Sequence, residues 1–197
     1  MVTFIPPYLG QEIKSTAERK IYEVLQNLRL KDAYVFHSLG LPRHESKIYG
    51  EIDFVVLCER GIACLEIKGG RVACHEGVWC FTDRYGVEHE KAEGPFAQVT
   101  GNMFSLRKIL KDRFSQYTQP DNLLVACGVM FPDIEFTSKA QEIIPEIIYD
   151  LRTNDITEYI ENVFDYGLYV WQYMLSIRTL LKIMVLVSKR VVRSDQQ

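Results

Sequence analysis

Two neighbouring stretches, Gly50-Glu51-Ile52-Asp53-Phe54-Val55-Val56-Leu57 and Gly61-Ile62-Ala63-Cys64-Leu65-Glu66-Ile67-Lys68-Gly69-Gly70, decide the fold of this chain. Each reads as an apolar strand, and strands this apolar are expected to be buried on both faces. There, every ionisable group costs several kcal/mol unless it is paired or bound to a metal. Asp53, Glu66 and Lys68 interrupt the two runs, and packing alone is a poor reason for all three. They read as a site.

Side chains alternate along a strand, so Glu66 and Lys68 share a face at roughly 6.6 Å along it. A two-residue turn at Arg60-Gly61 would pair the strands antiparallel and set Asp53 opposite Lys68, diagonal to Glu66. Gly61 supplies the positive φ that such turns favour. A slip of one residue would send Asp53 to the other face and dissolve the cluster. Two converging carboxylates either raise one pKa or recruit a cation. Hard oxygen ligands with open positions suit Mg²⁺ or Mn²⁺, which keep several waters and accept phosphate oxygens. A neighbouring lysine can orient or deprotonate water, or stabilise charge on a phosphoryl centre. The residue types are those of metal-assisted phosphodiester hydrolysis.

Two further pieces flank the strands: Glu18 in Ser15-Thr16-Ala17-Glu18-Arg19-Lys20-Ile21-Tyr22, and Gln98 in Gly94-Pro95-Phe96-Ala97-Gln98-Val99. The order helix-with-Glu, Asp strand, Glu-x-Lys strand, helix-with-Gln resembles the PD-(D/E)xK nuclease superfamily. More narrowly it is similar to the nuclease-related domain (NERD) family, over residues 18 to 98, about half the chain. Glu-x-Lys alone is a weak signature; the ordered set is far more specific. Family members often carry a small residue or Asn after the lysine, where this chain has Gly69-Gly70.

The resemblance implies an α/β fold of restriction-endonuclease type, a central mixed sheet flanked by helices. It implies a divalent-metal-dependent nuclease acting on DNA, with RNA the other substrate class, in DNA processing or defence. Asp53, Glu66 and the Ile67 carbonyl would hold Mg²⁺ or Mn²⁺, Lys68 would position or activate water, and Glu18 and Gln98 would support them. Without repeats or a low-complexity linker, residues 1–197 are expected to form one domain; domains of this kind often precede helicase or kinase modules, so it is a candidate N-terminal piece of a longer protein. The competing expectation is a latent or inactive module, binding nucleic acid or docking a partner, attached to a helicase.

With 197 residues and 47% hydrophobic content, the chain can bury one full core. Its net charge of −3 does not advertise nucleic-acid binding, so a local basic surface is needed. Arg107, Lys108, Lys111 and Arg113 form one candidate, and Lys182, Lys189, Arg190 and Arg193 another, although solvated helix faces carry similar residues. Neither a signal peptide nor a membrane-spanning stretch is expected. The five cysteines lack CxxC spacing and lie in apolar runs, which suits free thiols in a reducing cytoplasm. A zinc site from Cys74, His75 and Cys80 is disfavoured, because adjacent strand residues point to opposite faces.

Periodicity predicts helices over 14–29, 95–114 and 155–176, and a final apolar element over 179–187. Strands are expected at 33–39, 71–75, 78–82 and 123–131, besides the two above, with a polar loop at 41–46 and a turn at 82–86. Glu18 also fits a capping box with Ser15, in which it returns a hydrogen bond to the helix start. Gln98 divides evenly between a phosphate or water contact and an ordinary helix surface. Glu51 shares the Asp53 face but, as the first residue of its strand, reads as solvated. His37 and His44 have no evident partner and receive no role. Tyr166, Tyr169, Trp171 and Tyr173 read as core or interface aromatics, with stacking on bases as the functional alternative.

Overall fold

A computed structural model describes residues 1–9, 15–41, 50–83, 85–114 and 123–194, with side chains of the last helix up to residue 176. In chain order the elements are β1 (Val2–Ile5), α1 (Thr16–Leu25), β2 (Ala33–Leu41), β3 (Gly50–Cys58), β4 (Gly61–Ile67), β5 (Arg71–His75), β6 (Val78–Thr82), β7 (Glu88–Lys91), α2 (Pro95–Phe114), β8 (Val125–Met130), β9 (Ile148–Tyr149) and α3 (Ile156–Ser194). Six strands form one sheet in the order β1-β2-β3-β4-β8-β9, and β5-β6-β7 form a second. The large sheet is mixed: β2, β3 and β4 run antiparallel, whereas β1–β2, β4–β8 and β8–β9 are parallel.

The apolar run at 61–67 becomes the sheet's centre, with every residue of β4 buried. Its neighbours explain why both faces are apolar. Cys64 and Cys127 are register partners on one face, and the Thr100 hydroxyl of α2 lies 3.9 Å from Cys127 Sγ. On the other face, α3 presses Tyr159 and Val163 against Gly128, and Gly167 against Ala126. Helices therefore cover both sides of the sheet, which is the α/β arrangement expected. Glu66 shares the α2 face with Cys64, two residues away.

The small sheet sets where α2 begins. Trp79 is fully buried, stacks on Phe136 at 5.9 Å, and Phe136 stacks on Phe131 at 4.3 Å. The Trp79 indole N–H donates to Glu142 Oε1 at 2.6 Å, which satisfies the one polar atom of the ring. Gly94, just before α2, lies so close to this indole that a Cβ would collide with it. Glu76 and Gly77, both at positive φ, make the tight turn between β5 and β6.

Several expectations are corrected. The predicted helix over 14–29 is α-helical only to Leu25, because Asn27 and Leu28 bond back three residues and tighten the last turn. Leu28 nevertheless stays buried in the predicted apolar stripe. The separate elements at 155–176 and 179–187 are one helix, α3, since no Gly or Pro follows Gly167 to break it. β1, β7 and β9 were not legible; β7 is a wholly exposed Glu-His-Glu-Lys, held by backbone pairing with β6. At 82–86 the Asp83 carboxylate accepts the N–H groups of Tyr85 and Val87, which closes the expected turn. Cys74 pairs with Trp79 and Cys80 with Ala73, so the two thiols face opposite sides. The loop after Leu41 and His44 lie outside the described residues. Among the described residues, no helix is long and apolar enough to cross a membrane.

Gly128 offers a direct test of the packing. A methyl group there would fall inside van der Waals contact of the buried Tyr159 hydroxyl, which lies 3.2 Å from the Ile147 carbonyl and 3.3 Å from that of Val129. Gly128→Ala should cost about 1–3 kcal/mol as an overpacked core substitution. Urea unfolding followed by fluorescence checks this. Tyr159→Phe, which removes the hydroxyl, should relieve part of the loss in the double variant.

Candidate active site

The β3–β4 ladder runs from Cys58–Gly61 to Phe54–Leu65, so the hairpin turn is Glu59-Arg60 rather than Arg60-Gly61. In this register Asp53 stands opposite Glu66, not opposite Lys68. The correction is a two-residue shift, and a shift of two keeps every side chain on its expected face. Gly61 does take positive φ, but its role is close approach: its Cβ position is filled by the Leu124 carbonyl.

Beyond Phe54–Leu65 the ladder gives way to a side chain. The Ile67 N–H, which would otherwise seek a carbonyl on β3, donates to Asp53 Oδ2 at 2.7 Å. On the adjacent position Glu66 is only 1% exposed. Lys68 Nζ donates to Glu66 Oε1 at 2.5 Å and to Gln98 Oε1 at 3.1 Å. Gln98, in the first turns of α2, is thus drawn into the cluster. Asn102, one turn later and nearly buried, donates its amide to the Glu51 carbonyl at 2.8 Å and ties α2 to the start of β3.

Glu18 does two things at once. Its backbone N–H is capped by the Ser15 hydroxyl at 3.2 Å, as a capping motif requires. Its carboxylate also reaches the sheet, where Oε2 lies 2.9 Å from His37 Nε2, while the Ser15 side chain stays within hydrogen-bonding reach of it. That contact is the first cause of a pKa held below the ordinary carboxylate value. Asp53 moves the opposite way. Burial first, and the Glu66 charge second, push it up to about 7, against the pull of the Ile67 N–H.

Glu18, Asp53, Glu66, Ile67, Lys68 and Gln98 all line one cavity of about 480 Å³, together with Glu51 and Asn102. A larger cavity of about 550 Å³ beside it contains Asp83 and Asp133, but both carboxylates are engaged. Asp133 accepts the Lys20 ammonium and the Gly70 N–H, and Asp83 accepts the N–H groups of Tyr85 and Val87. Among the described residues no group of three or more His, Cys, Asp or Glu side chains is placed to hold a metal ion. Facing carboxylates with space beside them instead match Mg²⁺ or Mn²⁺, which need only one or two protein carboxylates and fill the rest with water and phosphate. The donor set fits such an ion.

The basic candidates stand apart from this cavity. Lys108 and Lys111 are exposed and Arg107 is half-buried, all on α2 beyond Gln98, and none lines the cavity. The side chains of the second patch, Lys182 to Arg193, lie outside the described residues. Tyr169 and Tyr173 are exposed on α3, whereas Tyr166 packs against the core. His37 and Asn102 were missed. Neither carries a local sequence signal, since each reaches the site through a partner far away in the chain.

A family model described as the nuclease-related domain (NERD) matches residues 13–132, more than half of the chain. The match contains every residue from Glu18 to Gln98 discussed above. Comparisons with curated proteins and with solved structures each return no match.

The raised Asp53 pKa makes the metal-free protein pH-sensitive. Asp53 in the folded state holds its proton up to about pH 7, whereas the ordinary value is 3.8. Between those values the folded state binds the extra proton, so stability is highest at the acid end of the window and falls as pH rises through it. Asp53→Asn, which cannot ionise, should flatten this part of the profile and melt higher than wild type at pH 8 without metal. Thermal scans from pH 4 to 8 in EDTA measure both.

Proposed function

The chain belongs to the nuclease-related domain family, and from that premise we propose that it is a divalent-metal-dependent nuclease that hydrolyses DNA phosphodiester bonds, in DNA processing or defence. One observation carries the reading: Asp53 and Glu66 face each other where β3 and β4 part, with Lys68 joined to Glu66 and Gln98. Buried opposed carboxylates are costly for folding and useful for binding a cation.

Asp53, Glu66 and the Ile67 carbonyl would hold Mg²⁺ or Mn²⁺, which when bound neutralises phosphate charge and makes water a better nucleophile. The remaining roles belong to the chain's own side chains. The Lys68 ammonium has three donors and no acceptor, so with two hydrogens on Glu66 and Gln98 it has one for water or a phosphate oxygen. Gln98, a neutral acceptor, fixes that ammonium without adding charge. Glu18, kept ionised by its contact with His37, is an acceptor at the rim for the hydrogen of an attacking water. Arg107, Lys108 and Lys111 are suited to flanking phosphates, where contacts add affinity without reading sequence. RNA offers the same phosphates and is the second substrate class to assay.

The deciding experiment incubates purified protein with linear, circular and single-stranded DNA, and with RNA, in Mg²⁺, Mn²⁺ or EDTA. Metal-dependent loss of substrate is expected. Binding without cleavage would instead select a latent docking module of the kind attached to helicases. Binding should be measured across salt concentrations, since phosphate contacts weaken steeply as salt rises.

Lys68→Ala should reduce cleavage by about 10²-fold or more, the usual contribution of a positioned proton-transfer group. Its metal response should remain. At a hundredfold excess of Mn²⁺ over its dissociation constant, mass action stabilises the folded state by about 2.7 kcal/mol. Wild type and Lys68→Ala should both show that stabilisation in thermal scans, and Asp53→Asn should lose it. Wild-type turnover by Lys68→Ala would remove the lysine from the mechanism.

A further inference from the structure

His37 enters the reaction scheme above only through the charge of Glu18, but its geometry points to more. It stands on β2 opposite Phe54, with the two rings 4.8 Å apart, on the sheet face opposite Asp53. Its side chain is 6% exposed, and the Nε2 atom lies 2.9 Å from Glu18 Oε2 and 3.3 Å from the Ser38 hydroxyl. An ionised carboxylate only accepts, so Nε2 carries the hydrogen and donates it to Glu18.

Glu18 needs such an anchor. It projects from the first turn of a ten-residue helix, and its long side chain loses rotamer freedom where it is held, by His37 first and by the Ser15 side chain at the helix start. Three other carboxylates, Glu51, Asp53 and Glu66, line the same cavity. The Lys68 ammonium donates its hydrogen bonds to Glu66 and Gln98 and acts on Glu18 through its charge, a smaller cause than His37. The ring of His37 is in turn held by Phe54, whose neighbour in the chain is Asp53. One short stretch of β3 therefore carries a metal-ligand candidate on one face and the support for the Glu18 anchor on the other.

We propose that His37 is a positioning residue for the nuclease reaction: its Nε2–H holds the Glu18 carboxylate at the cavity, where Glu18 accepts a hydrogen from the attacking water. This rests on the nuclease reading. His37 itself touches no substrate and acts only through Glu18.

The test is a cycle of His37→Phe, Glu18→Gln and the double variant, with His37→Gln as the conservative rescue. Phenylalanine keeps the ring against Phe54 and removes the donor; glutamine restores an N–H. Single-turnover DNA cleavage in Mn²⁺, DNA affinity and melting temperature are measured for each. His37→Phe should cleave roughly ten- to a hundredfold more slowly, as displaced catalytic groups do. Its DNA affinity should stay unchanged, and His37→Gln should recover most of the rate. The double variant should be no slower than Glu18→Gln alone, because removing the anchor costs nothing once the anchored group is gone. If His37→Phe impairs folding, His37→Leu takes its place in the cycle.

Wild-type cleavage by a folded His37→Phe or His37→Leu overturns the inference and leaves the nuclease reading standing. So does a rate loss that multiplies with that of Glu18→Gln. A wild-type protein that cleaves nothing with any metal overturns the nuclease reading, and this inference with it.

Discussion

The arrangement hangs on one hydrogen bond, from the Ile67 N–H to the Asp53 carboxylate. In an uninterrupted antiparallel pair that N–H would go to a β3 carbonyl. Here a side chain takes the place of the backbone acceptor, and the two strands part while the donor remains satisfied. The parting creates the cavity, and the substitution orients Asp53 toward Glu66. Ending the ladder and aiming the ligand are one event. This is also why the carboxylate is tolerated in so apolar a strand: one oxygen has a backbone partner, and the cost of burial appears as a raised pKa rather than as a broken sheet.

Helices on opposite faces then bring their groups to the gap. α2 reaches it with Gln98 and Asn102, and its start is set by the collision-close approach of Gly94 to the buried Trp79. α1 reaches it with Glu18, and its position is set just as tightly. A Cβ on Gly69 would lie 2.7 Å from the Ala17 Cβ and 3.2 Å from Asp133 Oδ2, so α1 seats directly on the backbone that follows Lys68. Asp133 completes the seat by accepting the Gly70 N–H and pairing with Lys20 of α1. The glycine pair that looked like a mere departure from the family pattern has a physical reason. A larger residue at 69 would lift α1, and Glu18 with it.

Much of this was legible because burial leaves a mark in composition. Two faces of helix over β4 demand a continuous apolar run, and against that run Glu66 and Lys68 stand out. Alternation then puts them on one face whatever the turn. Hydrophobic pattern fixes parity far better than it fixes register, so the error in the turn, two residues, was of the harmless kind. What could not be read was whatever depends on distant partners. His37 and Glu18 are separated by nineteen positions, and Asn102 and Glu51 by fifty-one. No local pattern marks such pairs. β7, without one buried side chain, carried no hydrophobic signal at all.

Glu18 carries two rival roles, helix cap and site carboxylate. A capping carboxylate and a site carboxylate make rival demands on one side chain, and sequence alone offers both. The fold lets one residue serve both ends. The backbone N–H goes to the Ser15 hydroxyl, and that side chain also helps hold the carboxylate ionised. The carboxylate has its larger partner on the sheet, where the nearly buried His37 meets it. A cap at that position usually contributes about 1 kcal/mol, and the serine hydroxyl suffices for it. Helix stability therefore does not require the Glu18 side chain to turn inward. Its place beside Asp53, Glu66 and Lys68 adds to the cavity a carboxylate that the His37 contact first, and the Lys68 charge among the lesser causes, keep ionised, as a site that binds cations requires.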